Sequence, residues 1–110
     1  MNQRQFQNMY NTAIQKIAVG FYILDNCGDR LGYDKDTIAG NKVQLCNILA
    51  EGAQMSLTTI YSDSCIMYSQ LPADYIRELR ASGLLESLIQ EMQVISNENK
   101  QKLGYKSLDN

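Results

Sequence analysis

The chain of 110 residues contains no histidine. Histidine is the one side chain whose ordinary pKa lies near neutrality. Its absence excludes a Ser-His-Asp triad, a Cys-His pair and an imidazole zinc ligand. Tryptophan is also missing, and proline occurs once, at Pro72. A single proline gives no scope for stiff extended linkers. No apolar run approaches the ~18 residues that read as a membrane-spanning helix. The opening MNQRQFQNMY lacks the apolar stretch of a secretory signal. Neither sign of charge dominates: ten basic residues face twelve acidic ones, for a net charge of -2. That balance argues against nucleic acid or a membrane surface as a partner. Only Lys100, Lys102 and Lys106 cluster, and they lie in a polar C-terminal stretch.

Cysteine is scarce and odd in number: Cys27, Cys46 and Cys65, each nineteen residues from the next. The intervening segments do not resemble one another, so the spacing is not a repeat. No two cysteines are close enough in sequence to form the usual thiolate metal pair. Three thiols in mostly apolar or turn contexts predict free, buried cysteines in a reducing compartment. The expected location is therefore the cytoplasm.

What remains is an ordinary globular composition, 45% hydrophobic. A chain this long forms one domain and buries roughly 65% of its unfolded surface, with no need of a metal or disulfide. The spacing predicts a first helix from Phe6, Tyr10, Ala13, Ile14, Ile17, Phe21 and Leu24, with Arg4, Asn8, Asn11, Thr12 and Gln15 opposite. The polar face then vanishes: residues 17–24 read IAVGFYIL. A helix that is apolar all round is buried on more than one side. It is either the central element of a bundle or meets a second chain. Gly20 within it predicts close helix approach, at a propensity cost of about 1 kcal/mol.

Gly28 is expected as a left-handed C-cap of this helix. Asp36 or Thr37 is expected to cap the second. Ile38, Leu45, Ile48 and Leu49 give it an apolar stripe to about Glu51. Residues 52–70 fit a helix through Leu57, Ile60, Tyr61, Cys65 and Tyr68. Their β-branched and aromatic content also fits a hairpin over about 55–70. Helix is the expectation, because a lone hairpin is marginal. Pro72 near the first helical position begins the next helix, with Tyr75, Ile76 and Leu79 inward. A continued stripe would fall on Ser82, Gly83 and Glu86. The apolar set instead jumps to Leu84, Leu85, Leu88, Ile89, Met92 and Ile95, so a break is predicted at Ser82-Gly83. The expected fold is all-α, a compact bundle of four to five helices over residues 1–96, with a polar tail over 97–110. An α+β fold carrying the hairpin is the alternative.

Motifs for chemistry are absent. Asp25, Asp29 and Asp36 match positions one, five and twelve of a calcium loop, but Cys27 and Arg30 occupy positions three and six. Asp34-Lys35-Asp36 is explained by the helix dipole without a metal. Gly28, Gly32 and Gly40 are followed by no Gly-Lys-Ser/Thr, so they form no phosphate loop. The segment LPADYIRELRASGLLESLIQEM has the outline of a helix-turn-helix, but Glu86 and Glu91 would face phosphates. No metal or cofactor is expected.

Seven tyrosines, with Tyr61, Tyr68 and Tyr75 spaced by seven, offer amphipathic contact surface. The expected function is non-enzymatic: a small cytoplasmic regulator, adaptor or inhibitor, of phage or mobile-element type, that binds another protein or itself. Its candidate interface is Ile17, Val19, Phe21, Tyr22 and Ile23, Leu84, Leu85 and Leu88, with Tyr61 and Tyr68. The alternative is a homo-oligomer holding a nucleotide or other small anion between protomers, through Arg4, Lys16, Arg30 and Lys35.

Overall fold

Helix α1 (Gln3–Cys27) begins with a capping box. The Asn2 side chain accepts from the Gln5 N–H at 2.8 Å, and Gln5 Oε1 accepts from the Asn2 N–H at 3.1 Å. A 3-10 turn (Gly28–Leu31) follows, then α2 (Lys35–Ala53), α3 (Leu57–Ser69), α4 (Ala73–Ala81) and α5 (Leu84–Lys102). The computed structural model describes residues 2–102, with side chains described to residue 94. The all-α bundle is the fold observed, and residues 57–69 are helix rather than hairpin. Among the described residues, no helix is long and apolar enough to cross a membrane.

The apolar stretch of α1 is the centre of the bundle. Every residue from Ile17 to Leu24 is buried except Tyr22, which is half-buried. One side of α1 meets α2 and α3, where Tyr10, Ile14, Ile17 and Phe21 pack with Cys46, Ala50 and Ile60. The other side meets the 3-10 turn, α4 and α5, where Val19, Ile23 and Leu24 pack with Leu31, Leu79, Leu85 and Ile89. Gly20 faces the Leu45 side chain of α2 at close range: a Cβ there would lie 2.8 Å from Leu45 Cδ1. Leu45 in turn touches both apolar clusters.

Several local expectations are corrected. Gly28 is right-handed (φ -57°, ψ -36°), because the chain tightens into the 3-10 turn instead of reversing. The left-handed residue is Gly32, φ +72°. Gly28 serves close packing, since a Cβ would lie 2.9 Å from Ile38 Cδ1. The cap of α2 is Asp34, whose Oδ1 accepts from the Thr37 N–H at 2.8 Å. Pro72 is the N-cap of α4, one place before the first helical residue. Ile48 is 53% exposed, outside the α2 stripe. Cys65 is exposed as well; one position earlier, Ser64 turns inward against Cys46, and its hydroxyl donates to the Ile60 carbonyl at 2.7 Å. The smaller hydroxyl suits that contact, and its bond to the preceding turn leaves no unpaired donor. The break between α4 and α5 falls at Ser82-Gly83 as expected, with Gly83 left-handed and Ser82 Oγ accepting from the Leu84 N–H at 3.3 Å. Helix α5 continues to Lys102, so the stretch expected as tail begins as helix. Residues 103–110 and the Ile95 side chain lie outside the described residues.

Two predictions follow from the packing around α1. Gly20→Ala should leave stability nearly unchanged, because the helix propensity gained, about 1 kcal/mol, offsets a shift of the Leu45 side-chain tip. Gly20→Val adds branched bulk against Leu45 and should cost about 1–3 kcal/mol by urea denaturation.

The second concerns Tyr10, whose hydroxyl donates to Asp63 Oδ2 at 2.5 Å. Burial first, then this carboxylate, holds the phenol well above its ordinary value. Below about pH 10 the phenol is protonated both folded and unfolded, and its contribution is whole. Above that, the unfolded chain releases a proton that the folded chain retains, so stability falls as pH rises. Tyr10→Phe should make this alkaline fall shallower. It should also cost about 1–3 kcal/mol at pH 7, because Asp63 loses its donor in a half-buried place.

Candidate apolar groove between α1, α4 and α5

A groove of about 440 Å³ opens where α4 and α5 lie against α1. The helical period explains its lining. Lys16, Val19, Gly20 and Ile23 fall on one face of α1. Tyr75 and Leu79 are one turn apart on α4, and Leu84, Leu88 and Glu91 follow one another along α5. Only Lys16 and Glu91 among the lining residues are charged. Leu84 is 49% exposed, whereas the neighbouring Leu85 is 3% exposed and seated in the core. Other exposed apolar side chains (Met9, Val43, Ile48, Ile66, Val94) are spread over α1, α2, α3 and α5 and do not line it. Scattered single exposures are normal on a soluble fold, whereas a shaped apolar groove with few charges is not.

The structure divides the expected interface residues into four groups. Ile17, Val19, Ile23, Leu84 and Leu88 come together around the groove. Phe21 and Leu85 are interior and line no part of the groove; Val19 and Ile23 are as deeply buried, at 3% and 1% exposure, and form its floor, so Leu84 and Leu88 are the residues a partner reaches. Tyr61 and Tyr68 turn their rings onto Phe21, with centroids at 5.3 and 6.5 Å. Burial raises the Tyr68 phenol, opposed by the hydrogen bond from Asn26 Nδ2 at 3.3 Å. Tyr22 lies on a further flank, where its hydroxyl accepts from Arg80 Nη2 at 2.5 Å.

The expected anion-binding residues are not gathered within one chain. Arg4 is in the first turn of α1 and Arg30 lies past its far end, and a 25-residue helix is about 37 Å long. Lys16 lines the groove midway, and Lys35 is exposed at the start of α2. Arg30 donates twice to the Glu86 carboxylate, at 2.7 and 2.9 Å, which raises its already high pKa. Asp25 of the tested calcium loop pairs with Lys42 at 2.8 Å. Among the described residues no three His, Cys, Asp or Glu side chains converge as metal ligands would. Glu86 and Glu91 are exposed. Burial raises the Cys46 thiol, so thiolate chemistry is disfavoured there.

Sequence reading missed Arg77 and Arg80. Their spacing of three on a short helix was the available signal. No family model matches the chain, and no curated protein or solved structure is similar to it.

The two faces of α5 should separate by mutation. Leu85→Ala should cost about 2–5 kcal/mol, as a core truncation does. Leu84→Ser, one residue away, should stay within about 0.5 kcal/mol. Equilibrium denaturation of the two variants measures the difference.

Proposed function

We propose that this protein is a non-enzymatic interaction module that works by binding another polypeptide through the groove between α1, α4 and α5. The observation that carries the reading is the half-exposed Leu84 beside Leu88 over an apolar trough with two charged residues of opposite sign. A trough of this kind suits an amphipathic helix laid along it, with apolar side chains at helical spacing as anchors. A second copy of the chain is the first such partner to test, because α5 itself carries that pattern. Free cysteines, two of them buried, fit a reducing compartment, and the same proposal puts the protein in the cytoplasm.

Native mass spectrometry of the untagged protein, purified gently from its own host, tests this. The expected result is an assembly heavier than the single chain of 12.5 kDa. Leu84→Asp with Leu88→Asp should return the monomer while retaining the helical circular-dichroism spectrum. An assembly indifferent to both substitutions overturns the reading, and a bare monomer at high micromolar concentration overturns the second copy as the occupant of the groove.

A further inference from the structure

On the opposite flank of α4 from the groove lies a second cleft, of about 420 Å³, between Tyr22, Tyr68, Ile76, Arg77 and Arg80. Arg80 also lines the adjoining pocket with Arg30 and Glu86, so the two form a continuous face. The charged residues lining that face are three arginines and one glutamate. Three carboxylates of this region are already matched. Glu86 holds Arg30, Asp74 holds Arg77 at 3.2 Å, and Asp25, beside Tyr68, holds Lys42. Arg80 makes no ion pair among the described residues. Its Nη2 donates to the neutral Tyr22 hydroxyl, and its guanidinium lies 6.0 Å from that ring. The Arg77–Asp74 pair is 77% and 80% exposed, and an ion pair in water is worth little, so Arg77 exchanges partners readily.

We infer that this cleft binds a small aromatic compound bearing one oxyanion, a phosphate or a carboxylate. The anion meets the Arg80 guanidinium, with Arg77 beside it, and the flat body lies over Tyr22, Tyr68 and Ile76. A guanidinium fork offers five donors in one plane, which matches the paired oxygens of either anion. A phenol occupies only part of that fork. Tyrosine faces and an aliphatic floor suit a flat apolar body. The inference is independent of the groove, which shares no lining residue with the cleft. It moves the anion site from Arg4, Lys16 and Lys35 to a face where Arg30, Arg77 and Arg80 come together in a single chain.

The test is a titration of the full chain with phenyl phosphate, benzoate and inorganic phosphate, followed by NMR of the arginine side-chain N–H groups and the α4 amides. Saturable shifts centred on Arg80 are expected with phenyl phosphate, benzoate or both, and which aryl probe binds distinguishes phosphate from carboxylate. The better aryl probe should bind about tenfold more tightly than inorganic phosphate, the order that one aromatic contact contributes. Arg80→Gln should abolish saturation and Arg77→Gln should weaken it several-fold. Arg4→Gln and Leu84→Asp should leave it unchanged, the latter separating the cleft from the groove. The inference is overturned by no saturable shift at millimolar probe, by shifts that survive Arg80→Gln in a folded variant, or by equal affinity for aryl and inorganic anions.

Discussion

Burial of residues 17–24 of α1 is the constraint from which the rest of the fold follows. Eight successive residues without a charge project around the full circumference of a helix. One partner helix covers only about a third of such a surface. The chain therefore needs cover on every side, and α2 and α3 supply one part of it, α4 and α5 the other. Gly20 lets α2 come close enough for Leu45 to reach both apolar clusters. The bundle then contains two clusters with one shared axis rather than one concentric core.

Polar contacts join segments far apart in sequence, both inside the apolar clusters and at their edges. Tyr10 ties the start of α1 to Asp63 of α3. The Tyr33 hydroxyl donates to the Met92 carbonyl at 3.1 Å, fixing the loop before α2 to α5. Arg80 ties α4 to Tyr22. A neutral hydrogen bond contributes about 1 kcal/mol, against about 1.5–3 for burying one large apolar side chain. These bonds therefore select the arrangement that the apolar clusters stabilise. The exposed Arg30–Glu86 and Arg77–Asp74 pairs contribute less, being open to solvent.

Period and composition made the centre of this fold legible in its sequence. The loss of polar residues after Lys16 marked the axial helix, and the phase jump at Ser82-Gly83 marked the turn between α4 and α5. What failed to read was whatever depends on tertiary choice among equivalent local signals. Asp34, Asp36 and Thr37 can each cap a helix, and the register of the 3-10 turn selects Asp34. Ser64 and Cys65 both lie near the inward face of α3, and contact with Cys46 decides between them. Half of the groove was legible as a row of apolar residues on α1 and α5. Its other wall, Tyr75 and Leu79, was legible as an apolar face of α4, but that this face meets α1 beside Leu84 and Leu88 is a tertiary choice no local pattern carries. Arg80 and Tyr22 are 58 residues apart, so no local pattern announces their contact.

The two surfaces of interest share one short element. Helix α4 has nine residues, of which only Leu79 is buried. A helix below ~12 residues has little stability of its own, so α4 is held by what it touches. Its packing partners are chiefly α5 and the α1 side chains beneath Leu79. The groove lies on one flank of this helix and the arginine cleft on the other, so each uses α4 as a wall. Elements with few buried contacts open most easily, and those are the elements that binding rearranges or steadies. The division of labour is then physical: α1, α2 and α3 hold most of the buried aromatic and aliphatic side chains, while the α4–α5 hairpin carries the exposed Leu84 and, on α4, Arg77 and Arg80.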